Sequence, residues 1–234
     1  MTCILRRFRS SGARSRVEVP QQGFTMTDPA ITLHGTKLSG HAHRVELLLR
    51  ILGLPYAYRD SPAAVRGTPA FLALNPLGQI PVLEDGDLVL ADSNAILVFL
   101  AKRYDPAGQW LPEQPEAAAA VQRWLSLAAG ELSFGPAAAR AITLWNMRPD
   151  VDPMRAKGVA GRLFAFMEQQ LAASSGFLAA AHPTIADLAF VGYVAHAPEG
   201  GITLDPYPAL RAWLGRVAAL PGFEPMPPTS IPSV

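Results

Sequence analysis

Apolar positions along the chain follow two regimes, one alternating between short β-type runs and helical stripes, the other helical throughout. Ile31 to His34 form a short apolar run that reads as a strand. After a Gly- and Ser-containing loop, Val45, Leu48, Leu49 and Leu52 recur at i, i+3, i+4 and i+7, which predicts a helix over about 42–52 with one apolar face. Gly53, just past the stripe, is a stop signal. Tyr56 to Arg59 read as a second strand, and the order strand, helix, strand predicts a parallel pair with its crossover. A Pro- and Gly-containing loop follows. Ile80 to Glu84 and Leu88 to Asp92 then read as strands joined at Asp85-Gly86, a strong hairpin signal, and so as an antiparallel pair. Ser93 is the expected N-cap of a helix over 94–104 that stops at Asp105-Pro106. The first half therefore reads βαβ, then ββα.

From 106 to 115 the composition shifts to Pro, Gly, Gln and Glu, as in an inter-domain linker. Beyond it no strand pattern recurs. Residues 116–134, 155–173, 184–195 and 208–220 are Ala-rich helical patterns broken by Gly or Pro, so 116–222 is expected to be an all-helical domain. The last stretch, 221–234, contains five prolines and is expected to lie extended against the surface.

Half of the residues are apolar and 17% are charged, which suits a globular chain long enough for two modest cores. Residues 1–30 carry five Arg against Glu18 and Asp28, a net of +3, so the remainder of this +1 chain stands at −2. That balance gives no electrostatic reason to expect nucleic acid or anionic lipid as a partner. Residues 1–30 are read as an unstructured extension, or as a mis-chosen start with Met26 opening the natural chain. The single cysteine, Cys3, excludes a disulfide framework and a cysteine-rich metal site, and fits a reducing, cytoplasmic setting. No apolar run approaches the roughly 20 residues that a membrane-spanning helix needs.

Three segments carry candidate chemistry. Ser39 stands in the loop entering the first helix, where free N–H groups and the helix dipole favour an anion such as a thiolate; it equally fits a simple N-cap. Pro81, in Asn75-Pro-Leu-Gly-Gln-Ile-Pro-Val-Leu83, falls where a strand should start. In the cis form it would expose the Ile80 backbone for pairing with an extended peptide, although an edge-strand proline is an equal reading. Asp92-Ser93 opens the next helix, as a second anion site or an ordinary cap.

Taken together, these motifs resemble the glutathione transferase superfamily, especially its serine-dependent bacterial, phi and theta-like members, over about residues 31–222. The Asn-Pro-Leu-Gly-Gln-Ile-Pro-Val-Leu stretch, the Asp-Ser pair and Pro183-Thr-Ile-Ala-Asp187 carry the resemblance. It implies a thioredoxin-like α/β domain over 31–105 and an all-α domain, with glutathione as co-substrate, no metal and a homodimer. Ser39 then resembles the serine whose hydroxyl meets the glutathione sulfur, with Arg44 five residues on. Ile80, with Gln79 and Pro81, resembles the backbone clamp on the cysteinyl part. Asp92 and Ser93 resemble the pair on the γ-glutamyl end, although many relatives have Glu in place of Asp92. Thr184 and Asp187 resemble the capping pair that supports folding of the helical domain.

The chain also departs from the pattern. Ala64-Val65-Arg66-Gly67-Thr68 stands where many relatives carry a His-containing loop for the glycine carboxylate, and Arg66 is the expected replacement. His41 and His43, two apart, face different ways on a helix. Phe134, Trp145 and Met147 are candidate walls of an apolar cleft for a small electrophilic second substrate. The leading expectation is a glutathione transferase that ionises the thiol. The alternative is a binding or structural protein that keeps this fold without efficient chemistry.

Overall fold

The structure, a computed structural model, describes residues 30–174 and 176–230. The expectations for 1–29, including Met26 and Cys3, lie outside these residues. Strand β1 (Ile31–Gly35) leads through a turn into helix α1 (Gly40–Ile51), then β2 (Tyr56–Asp60). Two short helices follow, α2 (Ala63–Arg66) and α3 (Pro69–Leu74), where a loop was expected. Neither spans enough turns to print a stripe, but Thr68 caps α3 with Pro69 at its first position, a legible start signal.

Strands β3 (Val82–Asp85) and β4 (Leu88–Ala91) close a four-stranded sheet of order β2-β1-β3-β4. β1 and β2 are parallel, and the other pairs antiparallel, as the two half-patterns predict. β3 starts two residues later than expected, after the Ile80–Pro81 peptide bond, which is cis. The hairpin connection is Gly86-Asp87, one residue on from the expected dipeptide, with Gly86 at φ 58°.

Helix α4 (Ser93–Tyr104) completes the first domain. Its N-cap is Asp92, not Ser93: the Asp92 carboxylate accepts from the N–H groups of Asn94 and Ala95 at 2.9 and 3.0 Å. Two backbone bonds to one carboxylate outcompete a hydroxyl, and Ser93 is left to turn inward, 4% exposed. Helix α1 is buried on more sides than its apolar stripe predicts. It packs on the sheet, on α4 and on a helix of the second domain, so His43, Arg44 and Glu46 are covered along with Val45, Leu48 and Leu49.

The second domain is helical throughout. Helix α5 (Pro115–Leu127) runs into a π-helical stretch, Ala128–Ala137, and on into α6 (Ala138–Trp145). The predicted stop at residue 134 falls one position before a break in the helical backbone; what the expectation missed is the helix beyond it. Gly135 leaves helical geometry (φ −99°, ψ −105°) and Pro136 lacks a donor, so the rod kinks and continues. The remaining elements are α7 (Pro153–Ser174), α8 (Ile185–Ala195), a 3₁₀ turn (Ala197–Gly200) and α9 (Pro208–Ala218). α8 is the hub: Ile185 through Val194 are all buried, and the helix touches α1, α4, α5 and α9. Its start is the expected capping box, in which the Asp187 carboxylate accepts from the N–H of Thr184 (2.8 Å), the N–H of Leu178 (2.9 Å) and the indole of Trp213 (2.8 Å).

Residues 223–230 of the Pro-rich tail lie extended and are pinned; 231–234 lie outside the described residues. His43 bonds the Glu224 carbonyl at 2.8 Å, His196 the Met226 carbonyl at 3.1 Å, and the Thr229 N–H donates to Glu199 at 2.8 Å. Arg50 pairs with the Glu224 carboxylate at 2.6 Å. Among the described residues, no helix is long and apolar enough to cross a membrane, and no group of His, Cys, Asp and Glu is placed to hold a metal.

Candidate functional site

The sheet, α1 and α4 bring the ends of several elements to one rim, and the kinked helix faces them across a cleft of about 1000 Å³. Ser39, Arg66, Gln79, Ile80, Asp92 and Ser93 all line it, as do Trp145 and Met147. Pro81 does not: it is buried behind Ile80 at the start of β3. Phe134 does not either. The cleft-facing positions of the kinked rod include Ala129, Ser133, Ala137, Ala141 and Trp145, spaced by four, with Ala128 and Arg140 beside them. Phe134 is one position round from Ser133 and so points into a shallow groove with Val151 and Val159, under the Arg148 guanidinium.

Ser39 fulfils the capping reading of its sequence context. It caps α1, its hydroxyl oxygen accepting from the Ala42 N–H at 3.3 Å. Half-buried on the cleft wall, it keeps its own O–H free to donate, because a hydroxyl has one hydrogen beyond its acceptor pairs. The N-terminal N–H groups and dipole of α1 add positive potential there.

Opposite lies the start of α4. Asp92 sits at φ 72°, where a non-glycine residue costs about 1–3 kcal/mol, and the two cap bonds hold it there. Ser93 accepts from Arg44 Nη1 at 3.2 Å and lies 3.4 Å from His41 Nδ1; Asn94 accepts from the same Arg44 nitrogen at 2.8 Å. Arg44 is 1% exposed, yet its Nε and Nη2 have no partner among the described residues. Burial pulls its pKa down to about 10, which still leaves it a cation at neutral pH. Buried unpaired donors of a charged group are costly, and this cation lines a cleft, so an anion entering there would relieve the cost.

Arg66 repeats the theme at the end of α2, half-buried with its Nε unpaired among the described residues. Lys37 and Asp60 join it on that side. His41 faces the cleft while His43 faces the tail, as their spacing predicts. Burial and the Arg44 charge push the His41 pKa down to about 3, so the ring is neutral in the physiological range.

Arg44's role as a wall, Tyr193 and Arg140 escape sequence reasoning, whereas His41 is one of two histidines that could line the site and is the one that does. Arg140 bonds the Leu38 carbonyl at 2.8 Å and Glu199 at 2.5 Å, and its guanidinium lies 4.9 Å from the Trp145 ring. It thereby steadies the residue before Ser39 from a helix 102 positions away, and no local pattern announces such a contact.

Residues 38–103 match the family of the glutathione S-transferase N-terminal domain and residues 152–221 that of its C-terminal domain. The chain is 32% identical to glutathione S-transferase 3 of Zea mays, over 85% of this chain and 96% of the relative. It is 31% identical to human glutathione S-transferase theta-2B over 74% of each. Among solved structures, a glutathione S-transferase from Pseudomonas fluorescens superimposes with a TM-score of 0.78 at 34% identity, covering 84% of this chain and 98% of that one. A homologue from Drosophila mojavensis with bound glutathione superimposes with a TM-score of 0.72 at 26% identity, covering 82% and 88%. With both domains matched in order and the likeness running through sheet, cleft and helical hub alike, this chain belongs to the glutathione S-transferase family.

Proposed function

We propose that this protein is a glutathione transferase in which the Ser39 hydroxyl holds the glutathione sulfur as a thiolate for attack on a small electrophile. The observation that supports this most is a free O–H at the capped mouth of α1, in the same cleft as Ile80, Ser93 and the unpaired donors of Arg44 and Arg66. Glutathione carries two carboxylates, one ammonium and a thiol. In this reading the γ-glutamyl carboxylate meets Ser93 with Arg44 behind it, Asp92 faces the ammonium, the Ile80 backbone pairs with the cysteinyl unit, and Arg66 meets the glycine carboxylate. Gln79 lies alongside.

A thiol titrates at about 8.5 in water, and a hydroxyl donor plus a helix N-terminus favour its anion at neutral pH. Once the proton has left to solvent, the sulfur lone pair forms a bond to the electrophilic carbon while the leaving group departs with its electron pair. The cleft contributes position and charge stabilisation, not a covalent intermediate. The alanines of the kinked rod leave room for the second reactant, and Trp145 and Met147 offer it apolar surface. The homodimer and the cytoplasmic setting belong to the same proposal, and size-exclusion chromatography tests the former.

The deciding variant is Ser39→Ala, assayed with a panel of electrophiles including a chlorinated nitroaromatic. Loss of one donor to the reacting anion is expected to lower kcat/KM by about 10²–10³-fold while glutathione still binds by calorimetry. The lost cap should cost about 1 kcal/mol of stability. Conjugation at the parent rate across the panel would remove Ser39 from its role.

A further inference from the structure

Tyr193 reaches the cleft from α8, in the helical domain, and nothing above uses it. Its ring is 9% exposed and lies over Gly40, the first residue of α1 and the neighbour of Ser39: a Cβ added to Gly40 would come within 2.8 Å of ring atoms Cε2 and Cζ. The hydroxyl-bearing end of the ring therefore sits at the mouth of the helix that Ser39 caps. His41 meets the same ring edge-on at 5.1 Å, and Arg44 lies 6.0 Å from its centroid.

Gly40 and His41 lie against this end of the ring. Both belong to the first turn of α1, whose donors have no carbonyl within the helix. Among the described residues nothing accepts the Tyr193 O–H itself. Charged and titratable groups reach the phenol from two directions: neutral His41 and cationic Arg44 on α1, and Arg140, already paired with Glu199, on α6. Burial pushes the phenol pKa up, against the pull of the two arginines, so Tyr193 stays protonated at neutral pH. The result is a neutral donor at the mouth of α1, facing the cleft beside Ser39.

We propose that the Tyr193 hydroxyl is a second hydrogen-bond donor to the glutathione sulfur, brought by the helical domain to the N-terminus of α1 and acting together with Ser39. This rests on the function proposed above. It also explains why the residue after Ser39 is glycine, since any side chain there would displace the ring.

The test is a titration of the thiol of bound glutathione, read as thiolate absorbance on saturated enzyme, for the parent, Y193F and a chain carrying 3-fluorotyrosine at 193. A hydrogen bond to a charged group corresponds to about one pH unit. Y193F should therefore raise the apparent thiol pKa by about one unit and lower kcat at neutral pH, with the KM for glutathione nearly unchanged. The fluorinated ring, a stronger donor of the same shape, should move the titration the opposite way. An unmoved titration in Y193F overturns the assignment even if turnover falls, because the hydroxyl would then serve the second reactant. Should Y193F fail to fold, the fluorotyrosine chain decides alone. A parent that binds no glutathione, or holds it with an unshifted thiol, defeats the underlying function before any variant is compared.

Discussion

Two buried polar clusters sit on either side of helix α8, and they are built on opposite plans. At its start, Asp187 accepts from Thr184, Leu178 and Trp213, so a charge nearly excluded from water has its lone pairs filled by the fold. Toward its other end, Arg44 is equally covered but spends one nitrogen on Ser93 and Asn94 and leaves two without partners. Desolvation is costly in both places. The first cluster offsets it internally and opens on nothing; the second opens on the cleft and needs a partner from outside. Satisfaction of polar groups, more than burial or charge, separates a structural centre from a binding one.

The largest effect should come from Asp187→Ala, which strands four buried donors at once, two of them on Thr184. A loss of about 3–5 kcal/mol is expected in denaturant unfolding, because removing one partner of a buried charged network leaves the others unpaired. Where the variant still folds, its glutathione affinity by calorimetry should stay close to that of the parent. Arg44→Met should give the reverse pattern. Removing an incompletely paired buried cation costs little of the stability of the empty protein, less than about 2 kcal/mol, while glutathione affinity falls about tenfold or more. If both variants lost stability and affinity in parallel, the distinction between the clusters would collapse.

A smaller effect concerns acid. The folded pKa of His41, about 3, lies below the unfolded value of 6.5, so the unfolded chain binds a proton that the native one refuses. The associated stability is complete above pH 6.5 and is lost as pH falls from there toward 3. His41→Gln should therefore flatten the acid limb of the stability curve by up to about 1.4 kcal/mol per pH unit within that window. Unfolding midpoints at a series of pH values, parent against variant, measure it.

The sequence reveals most where one contact order dominates. The α1 stripe, the βαβ crossover, the hairpin and the Thr184–Asp187 box are local patterns, and each stands where expected, shifted by a residue or two at its ends. Helices α2 and α3 are too short for periodicity to register. Before Pro136 the helix does break, at Gly135, but no pattern in the sequence announces the helix that resumes over Ala138–Trp145. In the cleft, Ser39, Arg66, Gln79, Ile80, Asp92 and Ser93 are legible from motif order, and the structure gathers them. Tyr193 and Arg140 are not, since they reach it from a second domain. Phe134 fails for a rotational reason: apolar character does not say which side of a kinked rod a residue faces, and one position moved it out of the cleft.

The pinned tail redraws the modules. By chain order Glu224 to Thr229 come after both domains, yet they lie clasped to His43 and Arg50 of the first domain and, through Arg140, to the residue that precedes Ser39. Anyone splicing this glutathione-binding half onto a foreign helical half would need to carry those closing residues across with it, for the seam between the halves does not follow the order in which they are written.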